Sequence, residues 1–226
     1  MSDVEVVVAA DDEDAALMVA RRLDEAARRG GHICLTGGST PQRAYELAAE
    51  LDPDWSRVEL WWGDERCTTA DDPLSNYGMS ARALIDRLET PPAAIHRMRG
   101  ELGPDDGARA YEAELGDTVI DLMLLGMGAD GHIASLYPNQ PTLDETERRV
   151  VGAEAHLEPF VDRITMTLPT INASREVLFL IAGADKAEAV ARAFAGEPSR
   201  ATPASLARSA DGPTVVVLDA AAASKL

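Results

Sequence analysis

Short apolar runs alternate with longer helix-like stretches along almost the whole chain. Residues 4–10, 33–36, 58–62, 119–127, 177–182 and 214–218 are rich in Val, Leu, Ile and Trp and carry few charges. Runs of that length, bounded by Gly, Pro and polar residues, read as strands. Further strands are expected at 149–153 and 164–168. Between them, 11–29, 40–51, 77–88, 106–115 and 186–194 read as helices. The first begins with acidic residues and ends with arginines, as a helix dipole favours. Pro41 falls in the first turn of the second, where a missing N–H costs nothing. Strands that are apolar on both faces need cover on both faces. The expected fold is therefore α/β, a mostly parallel sheet flanked by helices on both faces. The Pro/Gly-rich pieces at 90–93, 100–107 and 197–203 are short, so residues 1–226 are expected to form a single domain.

Charge excludes some partners. The net charge is −18, with two lysines (Lys186 and Lys225) and nineteen arginines. Phosphate backbones bind basic surfaces, so no nucleic-acid partner is expected. No apolar run approaches the ~20 residues that span a bilayer, and no membrane partner is expected. The N-terminal stretch MSDVEVVVAADDEDAA lacks the basic and apolar segments of a signal peptide. Cys34 and Cys67 are far apart and read as reduced thiols of a cytoplasmic protein. The closing Ser224-Lys225-Leu226 matches a peroxisomal address, a minor alternative for an Ala- and Arg-rich, Lys-poor chain. The expected assembly is a monomer or weak oligomer.

In open parallel sheets ligands bind beyond the carboxyl ends of the strands, so motifs there carry the most weight. LTGGSTPQRAYELA (35–48) runs from a strand through Gly37, Gly38, Ser39 and Thr40 into a helix. Free N–H groups at the helix start, with the two hydroxyls, suit an anion such as phosphate. The lysine and spacing of a Walker loop are missing. LWWGDERCTTADDPLSNYG (60–78) sets Asp64, Glu65 and Arg66 just past a strand. There the charged triplet becomes a functional candidate, while Trp61 and Trp62 are expected to pack on opposite faces.

LLGMGADGHIASLYP (124–138) contains G-x-G-x-x-G after an apolar run. A dinucleotide loop is disfavoured, because the six residues between Gly131 and Pro138 are too few for a crossover helix. Asp130 would also repel a pyrophosphate. The better reading is a sharp glycine turn presenting Asp130 and His132, with histidine as general base and the aspartate orienting its ring. Two such ligands without a third make no metal site. Arg163, at the start of RITMTL, and Lys186, after IAGAD, are expected to supply positive charge to a phosphate pocket.

Taken together, LTGGSTPQRAYELA, WWGDER with DPLSNYG, LLGMGADGHIASLYP, RITMTLPTINAS and AGADKAEAV resemble the glucosamine-6-phosphate isomerase/6-phosphogluconolactonase family. They occur in family order and cover almost the whole chain. The resemblance implies hydrolysis of 6-phosphogluconolactone to 6-phosphogluconate in the oxidative pentose phosphate pathway. It implies a small-molecule sugar-phosphate substrate, no cofactor, and a fold shared with the related deaminases. Those deaminases carry a glutamate five residues after the loop histidine, beside a proline; here Tyr137 stands there, before Pro138. A deaminase-like isomerase, or a sugar-phosphate sensor without turnover, are the alternatives. In the lactonase reading, Gly37–Thr40, Arg163 and Lys186 hold the phosphate and His132 activates water. Asp130 positions His132, and Asp64 meets sugar hydroxyls or supports Arg66.

Overall fold

A computed structural model describes residues 4–51, 53–156 and 158–226; the first three residues of the N-terminal stretch lie outside the described residues. A seven-stranded, wholly parallel sheet forms the centre. Its strands are β1 (Val4–Ala9), β2 (Gly31–Leu35), β3 (Val58–Trp62), β5 (Ala94–Ile95), β6 (Leu122–Leu125), β9 (Val177–Ile181) and β10 (Thr214–Asp219). They lie in the order β1-β10-β9-β6-β2-β3-β5. From β2 the chain moves outward to β3, and from β6 it moves the other way to β9. The winding direction therefore reverses between β2 and β6, where a crevice opens at the carboxyl ends.

The pleat divides the interior into two cores. Ile33, Leu35, Leu60, Trp62, Leu122, Leu124, Leu178 and Leu180 point to one face. Against them pack α1 (Asp12–Arg29), α2 (Ser39–Leu51) and α3 (Asn76–Ala83). Cys34, Trp61, Met123, Leu125, Phe179 and Ile181 point to the other face. That side is closed by α4 (Pro104–Leu115), α5 (Leu168–Asn172) and α6 (Ala187–Phe194). Trp61 and Trp62 do pack on opposite faces, and both are fully buried.

Two expected strands do not join the parallel sheet. β7 (Val150–Ala153) and β8 (Arg163–Met166) pair antiparallel, and β8 pairs antiparallel with β4 (Asp64–Arg66). A parallel pair needs a crossover of about a dozen residues or more. The connection between β7 and β8 is shorter, and its described residues hold no helix, which leaves the antiparallel option. At Gly63 the chain leaves the large sheet and enters the small one. Gly63 N–H donates to the Leu35 carbonyl, and its carbonyl accepts from Met166 N–H. The small sheet adds Val150, Ile164 and Met166 to the second core. The expected strand at 119–127 is confined to Leu122–Leu125, and the helix expected at 77–88 breaks after Ala83 into a 3₁₀ turn, Ile85–Arg87.

Phe179 sits fully buried on a central strand, edge-to-face with Phe194 at 5.2 Å between ring centroids. Phe179→Ala is expected to lower stability by about 3–5 kcal/mol, the usual cost of emptying an aromatic core site, as read from the urea unfolding midpoint.

Candidate active site

The crevice at the β2/β6 switch is a cleft of about 270 Å³. Its walls come from the carboxyl ends of β2, β6 and β9, together with Asp64, Arg66 and Asn76.

On one side lies the loop from Thr36 to Pro41. Tyr45, fully buried on α2, anchors it: the phenol accepts from Thr36 N–H and donates to the Thr36 carbonyl, both at 2.8 Å. α2 starts at Ser39, so Ser39 and Thr40 occupy its first turn instead of capping it. Ser39, Thr40 and Pro41 of that first turn line the cleft, and no acidic side chain shares the turn. An exposed helix start of this kind attracts anions.

The next wall is the Asp-Glu-Arg triplet of β4. Strand alternation turns Asp64 and Arg66 toward the cleft and Glu65 away. Asp64 is 7% exposed, and its carboxylate accepts from Asn76 Nδ2 (3.1 Å) and from Ser135 Oγ (2.7 Å). Glu65 accepts from Ser75 Oγ and from the main-chain N–H groups of Arg66, Asn76 and Tyr77. It thereby neutralises the start of α3. Burial raises the Glu65 carboxyl above its ordinary range, against these four donors that favour the ionised form. Arg66 donates from Nη1 to the Leu74 carbonyl at 2.5 Å, and its buried Nε has no partner among the described residues.

The glycine turn after β6 supplies His132. Gly128 N–H donates to the His132 carbonyl, and Gly131 N–H to the Gly128 carbonyl, both at 2.9 Å. The turn folds the Asp130 carboxylate onto the imidazole, with Oδ1 at 2.6 Å from Nδ1 and 3.1 Å from the His132 N–H. A Cβ on Gly128 would stand 2.1 Å from that ring, so only glycine leaves room for the pair. Burial acts to raise the Asp130 carboxyl. The hydrogen bonds and charge of His132 outweigh it and hold the group below its ordinary range. An ionised Asp130 accepts the Nδ1 proton and leaves the Nε2 lone pair free. The Tyr137 ring lies 5.1 Å from the imidazole.

Lys186 closes the far side, at the end of the 3₁₀ turn Ala184–Lys186 beyond β9. It is three-quarters buried, with Nζ 3.2 Å from the Asp185 carboxylate.

The cleft thus gathers Gly37, Gly38, Ser39, Thr40, Asp64, Arg66, His132 and Lys186, with Asp130 behind the imidazole. Arg163, expected near the phosphate, is not among the residues lining the cleft. It is buried, and its guanidinium donates to the carbonyl oxygens of Pro159 and Val161. Both bonds tie the guanidinium to the segment just before β8. Asn76 and Ser135 were not singled out in the sequence. Asn76 lies within the DPLSNYG segment, and its Oδ1 stands 2.0 Å from where a Cβ on Gly37 would be. Among the described residues no group of three or more His, Cys, Asp or Glu could hold a metal ion.

Residues 9–216 match the family described as glucosamine-6-phosphate isomerases/6-phosphogluconolactonase. The chain belongs to this family. The 6-phosphogluconolactonase of Streptomyces coelicolor is 39% identical over 232 residues, covering 94% of this chain and 88% of that protein. The solved structure of 6-phosphogluconolactonase from Trypanosoma brucei is 26% identical, with a TM-score of 0.86 and full coverage of both chains. A monomeric glucosamine-6-phosphate deaminase of the NagB superfamily is also similar, at 25% identity and a TM-score of 0.84, over 98% of this chain and all of that one. Both branches of the family therefore share this fold, and the side chains of the cleft must separate them.

Cys67 borders this region without the properties of a nucleophile. Burial, with Asp162 adding to it, pushes its thiol up to about 11. Iodoacetamide labelling of the native protein is expected to be slow at pH 7. It should then quicken about tenfold per pH unit toward pH 10, because only the thiolate reacts. A labelling rate that levels off near pH 8.5, as for an unperturbed thiol, would contradict this.

Proposed function

We propose that this chain hydrolyses 6-phospho-D-glucono-1,5-lactone to 6-phospho-D-gluconate, in the oxidative pentose phosphate pathway. The observation that carries the reading is the Asp130–His132 pair, with His132 lining a cleft walled by the start of α2 and by Lys186. The first turn of α2, with Ser39, Thr40 and Lys186, receives the 6-phosphate and fixes the sugar's orientation. The Asp64 carboxylate, already held by Asn76 and Ser135, accepts from sugar hydroxyls with its remaining lone pairs.

In the first step His132 Nε2 takes a proton from water, and the oxygen of that water bonds to the lactone carbonyl carbon. The carbonyl π pair moves onto oxygen. Arg66, whose side chain lines the cleft, is the donor for this oxyanion. In the second step the pair returns, the bond to the ring oxygen breaks, and His132 delivers its proton to that oxygen. Asp130 holds the ring in one tautomer and stabilises the imidazolium between the steps. Nothing is oxidised or reduced, and no cofactor is needed.

Tyr137 favours hydrolysis over isomerisation. It occupies the place five residues beyond the loop histidine, so no carboxylate from that position meets His132. Isomerisation and deamination move several protons, whereas lactone opening needs one activated water and one protonated leaving oxygen. The proposed setting is the cytoplasm, which suits the two free thiols. No described helix is long and apolar enough to cross a membrane.

The test generates the lactone in situ from glucose 6-phosphate and follows its loss above the spontaneous rate. The wild-type chain is expected to accelerate it, and His132→Ala to lower kcat by about 10²–10⁴-fold with an unchanged unfolding midpoint. Gly128→Ala, which drives a methyl group into the imidazole, should approach the same loss. Full activity in His132→Ala would remove the histidine from the mechanism. A folded wild type without acceleration would sink the lactonase reading.

A further inference from the structure

Asp219 is the last residue of β10 and only 6% exposed. It makes no ion pair among the described residues. Its carboxylate is bound by main-chain donors: Gly183 N–H lies 3.1 and 3.2 Å from its two oxygens, and Ala222 N–H lies 2.7 Å from Oδ1. Burying a carboxylate without a cation is unfavourable unless donors replace the lost water.

The location explains what those donors do. The β9–β10 ladder ends at the pair Leu218–Ile181. β9 ends there at Ile181, and the Gly183 N–H lies past the last rung. The Asp219 side chain replaces the missing rung by taking the Gly183 N–H. Gly183 in turn accepts from Lys186 N–H at 3.0 Å through its own carbonyl, closing the turn Ala184–Lys186. One carboxylate thus fixes the peptide from which the Lys186 side chain enters the cleft, without itself lining it.

We propose that Asp219 is a positioning residue for Lys186, and so for the phosphate end of the substrate site. The proposal rests on the reading of Lys186 as a phosphate ligand. Asparagine keeps the shape of the side chain but turns one accepting oxygen into a donor, which cannot share the Gly183 N–H. Loosening that turn frees Lys186 to move away, while His132 and Asp130 hang from β6 and are untouched. The expected signature is weaker substrate binding with the chemical step preserved.

The experiment is a double-mutant cycle on the full chain, with lactone generated in situ and inorganic phosphate as competitive inhibitor. Asp219→Asn is expected to raise KM and the inhibition constant of phosphate about tenfold, with kcat within about twofold of wild type. In a Lys186→Ala background, which itself raises KM, Asp219→Asn should change KM by less than about twofold, because the interaction it serves is gone. Asp219→Ser, whose oxygen stands one bond nearer the main chain than the carboxylate oxygens, serves if the asparagine variant does not fold and should give a KM rise of the same kind. An equal effect of Asp219→Asn in both backgrounds, or a matching loss of kcat, would make Asp219 a structural cap and overturn the proposal. So would a KM unmoved by Asp219→Asn where Lys186→Ala raises it. A KM unmoved by Lys186→Ala would instead defeat the phosphate reading of Lys186, and the proposal with it.

Discussion

A parallel sheet delivers every strand's carboxyl end to the same edge, and the site depends on that. The hydrogen bonds joining β9, β6 and β2 fix three loops side by side in a set register. One loop brings helix-start N–H groups, one brings His132, and one brings Lys186. None of these segments approaches another in sequence. The reversal of winding between β6 and β2 leaves the gap between them uncovered, because the connections leave in opposite directions. The small antiparallel sheet then closes one flank, hinged at Gly63, and adds Asp64 and Arg66.

The electrostatics follow from this convergence. The chain carries a large acidic excess, yet the lining side chains with a fixed positive charge are Arg66 and Lys186, and the start of α2 carries no acid. The one carboxylate on the wall, Asp64, is held by two neutral donors. An anionic substrate crosses a repelling outer field and finds partial positive charge from main-chain dipoles inside, where screening by water is weaker.

Much of this was legible in the sequence. Strand runs without polar alternation required cover on both faces, and the two tryptophans of β3 obeyed the pleat. Gly37–Thr40, Asp64, Arg66, His132 and Lys186 were visible because glycine-rich turns and charges at strand ends have few other uses. What stayed hidden was decided by side-chain direction and long-range pairing. Arg163 begins a strand as expected, but its guanidinium folds back onto the preceding connection. Asn76 and Ser135 hold Asp64, 12 and 71 residues away along the chain, and no local pattern announces such contacts. The antiparallel pairing of β7 and β8 followed from the absence of a helix among the described residues between them, which the spacing of apolar runs alone did not reveal.

The triplet Asp64-Glu65-Arg66 has a consequence for how this protein can change. Three consecutive charged residues serve two compartments, because β4 is extended and neighbours face opposite ways. The outer two line the cleft, while the middle one holds the start of α3. A single inserted or deleted residue between Gly63 and Arg66 would trade these assignments. A carboxylate built to cap a helix would swing into the cleft, and an arginine into a buried pocket of donors. The spacing of this tripeptide behaves as a reading frame.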